Sequence, residues 1–297
     1  MPRLEEFNTF CKVVEQKSFS RAAELLGLTQ PAVSLQMKSL EESYGAELLH
    51  RRGMNILPTE AGRSVYEYAC QLLRTFDKSQ QVVQSLRGSM VGRLQIGAST
   101  GPGEALVPLL LGRFKQQHPE VTVALQVGST GEILDGILHM QLEVGFVGSQ
   151  RRDRYLTFEP YLEDELVLVV NPQHPWASRS RIAYQELLTA PLILQQQGSG
   201  ATSVLQDALA EQGISLRELN VVMELGLQES TKAAVRAGFG VTIISHLGVR
   251  EDLQRGDLVA VPVEELELKR GIYLCTNRSQ PLSNLAQTFL DFARAEK

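Results

Sequence analysis

Two groups of residues have types and spacings that could do chemistry. The first is Gln30, Pro31, Ser34, Leu35 and Lys38, followed by an Arg51-Arg52 pair. The Gln30 amide can donate and accept at once, as a base edge in a DNA groove requires, while Lys38, Arg51 and Arg52 supply cations for phosphates. The second group lies in hydroxyl-rich turns: Ser99-Thr100-Gly101, Ser129-Thr130, Ser199 to Thr202, and a turn carrying Glu229. Turns of this kind at helix starts present free amides that favour anions, and Ser and Thr there are equally ordinary helix caps. No catalytic constellation accompanies them. The five histidines pair with no nucleophile motif, Ser199 lacks the GxSxG spacing, no glycine-rich turn carries a P-loop lysine, and no metal-ligand cluster appears. Neither an enzyme nor a metal or other cofactor is expected.

The first group needs a helix pair to hold it. In Ser18 to Tyr44, Ser20 is placed to cap a helix carrying Ala22, Ala23, Leu25 and Leu26, which Gly27 ends. Thr29 caps the next helix, with Pro31 in its first turn and Val33, Met37, Leu40 and Tyr44 on one face. Pro31, Leu35, Lys38 and Glu42 lie about 140 to 200° from Val33 at ~100° per residue, with Gln30 and Ser34 flanking them. That face has no evident internal partner. Leu4, Phe7, Phe10, Val13 and Val14 predict a preceding helix from about Pro2 to Gln16 that covers the pair. Glu47 to Leu57 reads as two short strands around a basic turn. It is either a wing that projects Arg51 and Arg52 toward a duplex, or an ordinary solvated turn.

Thr59 caps a long helix to about Leu86. Val65, Ala69, Leu72, Phe76, Val83 and Leu86 step by fours and threes, with Ser79 filling the one gap, as in a heptad seam. About 28 residues span roughly 42 Å at ~1.5 Å each. A second copy of the same helix is the natural partner; packing on its own chain is the alternative. Gly88 to Gly92 predicts a hinge.

Beyond it, short β-rich runs (Arg93 to Ala98, Thr122 to Val127, Val144 to Val147, Leu166 to Asn171, Leu192 to Gln195, Asn220 to Met223, Val241 to Ser245, Gly271 to Thr276) alternate with helical stretches. The helical stretches are Ala105 to His118, Gly131 to His139, Ala201 to Gln212, Leu227 to Ala237 and Asn284 to Ala295. Such alternation implies parallel sheets, and ~200 residues suggest two α/β lobes. The chain is expected to cross between them near Tyr161-Leu162 and return near Leu266-Leu268. The cleft between the lobes is the expected ligand site.

Composition narrows the class. The chain has 297 residues, 43% hydrophobic and 21% charged, with net charge -5. Residues 1 to 58 hold seven basic and seven acidic residues, so any DNA contact depends on local placement of positive charge. No apolar run approaches the ~18 residues of a membrane span and no signal segment opens the sequence, so a cytoplasmic protein without a membrane partner is expected. Cys11, Cys70 and Cys275 are far apart in sequence and indicate a reducing compartment. Cys11 and Cys70 read as small buried hydrophobes, and insensitivity to peroxide is expected.

A family resemblance rests on these same residues. SFSRAAELLGLTQPAVSLQMKSLEESYGAELLHRRG, then LPTEAG and a long helix, resembles the winged helix-turn-helix of LysR-type transcriptional regulators. The remainder, including His174-Pro175-Trp176-Ala177 and Ala237-Gly238-Phe239-Gly240-Val241, resembles that family's periplasmic-binding-protein-like effector domain. The resemblance covers essentially the whole chain. It implies a DNA-binding head at 1–58, a dimerisation helix at 59–87, a hinge at 88–92 and an effector domain at 93–297. Within that domain lobe I is 93–160 with 268–297, and lobe II is 161–267.

Gln30, Pro31 and Ser34 match positions that approach bases and phosphates in the family, and Arg51 matches a backbone contact. Ser20, Arg21, Thr29, Lys38 and Arg52 complete the expected DNA-facing set. Leu35 departs from the polar residue many relatives carry; it either touches a thymine methyl or is a solvent-exposed leucine without a role. Thr100 and Thr202 match effector-contacting positions, with Ser99, Gly101, Ser129, Thr130, Ser199 and Glu229 expected around them. A small anion is the expected ligand. Glu229 keeps an amino-acid-like effector open. The resemblance implies an effector-responsive activator with double-stranded DNA and RNA polymerase as partners, assembling as a homodimer or homotetramer. A repressor of the same family is the alternative. A solute-binding protein would leave the first 87 residues without a purpose.

Overall fold

A computed structural model describes residues 2–52, 55–85, 92–196 and 198–297. Two compact units emerge, one built from the first 89 residues and one from nearly all the rest.

In the first unit, α1 (Leu4–Gln16), α2 (Phe19–Leu26) and α3 (Gln30–Tyr44) precede a hairpin of β1 (Leu49–Arg52) and β2 (Asn55–Pro58), and α4 (Glu60–Ser85) follows. Their shared core is Phe7, Phe10, Cys11, Val13, Ala22, Ala23, Val33, Met37, Leu40, Leu48, Ile56 and Ala69. The Thr29 hydroxyl accepts from Ala32 N, and Gly27 and Gly45 end α2 and α3 in the left-handed conformation that glycine adopts without strain. The cap of α2 is Ser18, whose hydroxyl accepts from Arg21 N; Ser20 lies one residue inside the helix and is exposed. Tyr44, placed by its spacing on the same face as Val33, Met37 and Leu40, is 46% exposed, at the last residue of α3.

The helix pair is tied to the hairpin by polar bonds. The Glu41 carboxylate accepts from Leu48 N and Leu49 N, and Thr59 Oγ1 accepts from Gly62 N at the start of α4. A Cβ on Gly62 would lie 1.9 Å from the Leu48 carbonyl oxygen, so this crossing admits only glycine.

The seam on α4 is shifted from the expected one. Val65 and Ala69 pack on the unit's own core, while Tyr68, Leu72, Phe76 and Val83 are 66, 49, 46 and 54% exposed. The exposed stripe therefore starts at Tyr68. Leu86 and Gly88 to Val91 lie outside the described residues, as do Gly53 and Met54 of the hairpin turn.

The second unit opens with β3 (Gly92–Ser99), α5 (Thr100–Ala105), α6 (Val107–Gln117), β4 (Val121–Gly128), α7 (Thr130–Leu138), β5 (Val144–Val147) and β6 (Leu156–Val170). The helix expected over Ala105 to His118 is α6, and a further short helix, α5, precedes it, the two parting at Leu106 ahead of Pro108. Next come β7 (Ile182–Ala183), β8 (Leu192–Gln195), α8 (Gly200–Glu211), β9 (Val221–Leu225), α9 (Gln228–Arg236), β10 (Thr242–Ser245) and α10 (His246–Arg255). Last are β11 (Val259–Val261), β12 (Val263–Glu264), β13 (Lys269–Asn277) and α11 (Asn284–Ala295).

The sheets are mixed and not wholly parallel. β3 runs parallel to β4 and β5, and β8 to β9, but β13 is antiparallel to β5 and β6. Strand β6 serves both lobes. It pairs with β13 from Leu156 to Glu165, then with β10 and β11 from Leu166 to Val170. The passage between lobes therefore falls between Glu165 and Leu166, some four residues later than expected, and Leu166 N donates to Leu268 O at the returning strand.

Two main cores flank it. Lobe I buries Leu94, Ile96, Phe114, Phe146, Leu274 and Phe289, with Phe114 edge-on to Phe289 at 5.3 Å. Lobe II buries Leu166, Leu168, Leu192, Leu205, Leu209 and Val241.

Candidate functional site

In the first unit, α3 presents Gln30, Pro31, Leu35 and Lys38 to solvent, with Ser34 half-buried beside them. The Gln30 amide donates to Ser34 Oγ at 2.9 Å, and Leu35 is 69% exposed. Lys38 lies 3.8 Å from Glu42, both side chains largely exposed, a pair too weak to hold the ammonium from a phosphate. The buried Val33, Met37 and Leu40 fix this face outward. Arg21 is exposed at the start of α2 and Thr29 is spent on its cap. The backbone of Arg51 and Arg52 lies in β1; their side chains lie outside the described residues.

In the second unit, the turns named from sequence divide by what their hydroxyls already do. Ser129 exchanges hydrogen bonds with Glu132 and caps α7. Thr100 Oγ1 donates to Gly128 O at 3.3 Å, and Thr202 Oγ1 to Gln195 O at 3.0 Å. Ser199 donates to Gln195 Oε1 and caps α8, while Ser99 Oγ accepts from Gly148 N, joining two lobe I loops. Thr130 alone among these holds a buried hydroxyl with no partner among the described residues.

The charge at the lobe junction comes from residues that the turn motifs do not reveal. Arg270 on β13 stands opposite Asp164 on β6, and its Nε and Nη2 donate to Asp164 Oδ2 at 2.9 and 2.8 Å. Ser245 at the end of β10 donates to Asp164 Oδ1 at 2.7 Å. A Cβ on Gly101 would lie 2.7 Å from Arg270 Nη2. One on Gly200 would lie 2.8 Å, and one on Gly148 3.2 Å, from Nη1. Three glycines, two from lobe I and one opening α8 of lobe II, thus enclose one guanidinium.

Two buried amides stand in the same turns without partners: Gln228 at both Oε1 and Nε2, and Gln195 at Nε2. Gln228 Nε2 and Arg270 Nη2 both crowd Gly101, so one orphan amide stands beside the buried cation, where buried polar groups are ordinarily paired.

Glu229 is turned elsewhere. Its carboxylate pairs with Lys232 and Arg236 on its own helix. Lys232 also reaches Asp252, which is 1% exposed and takes Arg236 as well. Burial works against the Lys232 ammonium, but its bonds to Glu229 and Asp252 outweigh that and raise its pKa. Glu104 on α5 accepts from Gln228 N, and burial holds its carboxyl above the usual range. With its carboxylate neutralised there, Glu229 no longer argues for an amine-bearing effector.

Sequence comparison bears on both surfaces. Residues 4–63 match the model for bacterial regulatory helix-turn-helix proteins of the lysR family, and residues 87–297 match the LysR substrate binding domain. The chain belongs to the LysR family. The helix-turn-helix of α2 and α3 is thus a DNA-binding element of a transcriptional regulator, and the second unit is its ligand-binding domain.

Among relatives, the HTH-type transcriptional activator CmpR of Synechocystis sp. (strain ATCC 27184 / PCC 6803 / Kazusa) is 33% identical over 97% of this chain and 94% of its own. The uncharacterized regulator YeiE of Escherichia coli (strain K12) is 30% identical over 97% of this chain and 96% of its own. The Synechocystis PCC6803 CcmR regulatory domain, solved in complex with 2-PG, is 27% identical with TM-score 0.63, covering 69% of this chain and 97% of that domain. Full-length CbnR complexed with its target DNA has TM-score 0.74 at 22% identity, covering 99% of this chain and 100% of that one, and shows the shared fold. No described helix is long and apolar enough to cross a membrane, and no group of three or more metal-ligating side chains occurs among the described residues.

Proposed function

We propose that this LysR-family chain is an effector-responsive transcriptional activator of the cytoplasm that binds a small anionic metabolite at Arg270. One observation carries the ligand reading. A guanidinium that is 5% exposed sits between the lobes, two of its three nitrogens held by Asp164 and Nη1 facing Gly148 and Gly200. Nη1 together with the amide-rich start of α8 favours an anion, and the unpartnered Nε2 of Gln228, which meets Arg270 at Gly101, adds a donor. Ser99, Thr100, Gly101, Ser199 and Thr202 line the approach. The relative CmpR is a transcriptional activator, which supports activator function, and 2-PG in CcmR supports a small-molecule ligand.

In this reading residues 1–58 read DNA and residues 59–87 pair with a second copy along Tyr68, Leu72, Phe76 and Val83. Residues 93–297 sense the ligand, residues 88–92 join the parts, and RNA polymerase is the downstream partner. The ligand acts by favouring one lobe arrangement over another, which it can do only through contacts that differ between the two. Gln30, Ser34 and Leu35 meet bases, while Arg21, Lys38, Arg51 and Arg52 hold phosphates.

Calorimetric titration of the full chain with 2-PG, inorganic sulfate, inorganic phosphate and amino acids tests the site. At least one anion should bind to wild type and bind Arg270→Lys at least ~10-fold more weakly, a loss of about 1.4 kcal/mol. Equal binding to both proteins, or binding of amino acids alone, removes Arg270 from the site. For self-association, Phe76→Glu should shift the sedimentation of the full chain toward the monomer; an unchanged sedimentation coefficient removes the stripe from the interface.

A further inference from the structure

Cys11 on α1 and Cys70 on α4 are 59 residues apart in sequence, yet their sulfurs lie 3.6 Å apart inside the first unit. Cys11 is buried and Cys70 half-buried, so one member of the pair is open to solvent. The two thiols are electrically unlike. The hydrogen bond from Cys11 leads in lowering the Cys70 pKa to about 7, with help from the Tyr66 hydroxyl and the Arg74 cation and against the pull of burial. The hydrogen bond to Cys70 and then burial push Cys11 the other way. One thiolate beside one protonated thiol is the arrangement that an attacking and a resolving cysteine require. Cys275, by contrast, is buried alone and pushed up to about 12 by that burial.

We propose that Cys11 and Cys70 form a peroxide-oxidisable, reversible disulfide site that ties the first helix of the DNA-reading unit to the long helix α4. The Cys70 thiolate attacks one oxygen of hydrogen peroxide, the O–O bond breaks, and the departing hydroxide takes a proton to become water. Cys70 is then a sulfenic acid. The Cys11 thiol attacks its sulfur, the S–S bond forms, the S–O bond breaks, and the hydroxide leaves with the Cys11 proton as a second water. Two thiols lose two electrons and one peroxide gains them. A dithiol reductant reverses the reaction by exchange. The sulfurs need to close by only about 1.5 Å to reach the ~2.05 Å disulfide bond.

Peroxide sensitivity at this pair is contrary to the insensitivity expected from cysteine spacing. The sequence shows neither CxxC nor a Cys/His cluster; only the packing of α1 on α4 makes the cysteines neighbours.

The test uses the full chain, reduced and then exposed to hydrogen peroxide, with the cysteine peptides mapped by mass spectrometry under non-reducing conditions. The expected product is one linked Cys11–Cys70 peptide, two hydrogens lighter than its parts, with Cys275 still alkylatable after unfolding. Dithiothreitol should restore both thiols. In Cys11→Ser the reaction should stop at a dimedone-reactive Cys70, and in wild type the rate of Cys70 alkylation should be half-maximal near pH 7. The proposal is overturned if peroxide leaves Cys11 and Cys70 free in wild type, if Cys275 is oxidised first, or if the product joins two chains.

Discussion

Replacing Gln228 by leucine should make this protein more stable and less able to bind its ligand. Gln228 opens α9, is 2% exposed, and both polar atoms of its amide lack partners among the described residues. The side chain is held by shape. A Cβ on Gly248 would lie 2.0 Å from Oε1, and one on Gly101 would lie 3.2 Å from Nε2. Each unpaired buried polar group costs about 1–3 kcal/mol, whereas an apolar side chain of similar volume carries no such penalty. Taking each of the two groups at about 1.5 kcal/mol and allowing about 1 kcal/mol for the changed branching leaves a net gain of about 2 kcal/mol. For a unit of this size each kcal/mol moves the melting temperature by about 2–4 °C, so Gln228→Leu should melt about 4–8 °C higher. The same change removes the Nε2 donor from the anion, worth about 1–2 kcal/mol, or an affinity loss of about five- to thirty-fold. Scanning calorimetry of the ligand-free chain and titration with the anion that binds wild type read the two effects. A variant that melts lower and binds unchanged would refute the reasoning, because Gln228 would then be paired within the fold and idle toward the ligand.

Further perturbations probe other parts of the account. Gly62→Ala places a methyl against the Leu48 carbonyl and should destabilise the first unit by about 1–3 kcal/mol, seen as a lower midpoint in urea. Gln30→Ala should relax preference among duplex sequences at nearly constant salt dependence, whereas Arg51→Ala should weaken all duplexes alike and reduce the salt slope by about one ion. Glu104 offers a pH test. Burial raises its carboxyl pKa in the folded chain, so folding is most favoured below the unfolded value near ~4.3 and loses that contribution as pH rises through the folded value. Glu104→Gln keeps an acceptor for Gln228 N and should flatten the fall in melting temperature as pH rises above the unfolded value near ~4.3; an unchanged profile would show that the carboxyl does not titrate across folding.

The reading head was legible because its signals are local. Thr29, Pro31 and Gly45 mark both ends of α3 within seventeen residues, and Val33, Met37 and Leu40 repeat on one face, so the outward face follows. The hydroxyl turns were equally local, but what they do depends on neighbours, and most of their hydroxyls are occupied by their own main chain. The groups that matter most at the junction were hidden by distance. Arg270 and Asp164 meet through an antiparallel register 106 residues apart. Strand β6 itself was half concealed. Pro160 and the acidic Glu159, Glu163, Asp164 and Glu165 interrupt its apolar alternation, and the strand absorbs Pro160 at a register shift opposite Ile272 and Tyr273. The phase of α4 was misread for a similar reason. Ala69 fits a heptad seam as well as it fits the underside of α1, and only packing decides between them.

The central claim is that one chain reads a DNA sequence and adjusts that reading to an anion bound between its lobes. Selection of duplexes from a random library by the full chain, repeated with and without the anion that titrates wild type, tests it most directly. The account predicts one enriched motif with two related half-sites, retained by wild type in excess competitor DNA, whose affinity or footprint changes with anion for wild type but not for Arg270→Lys. Enrichment of no motif above competitor, or a motif bound identically with and without the anion, would contradict it.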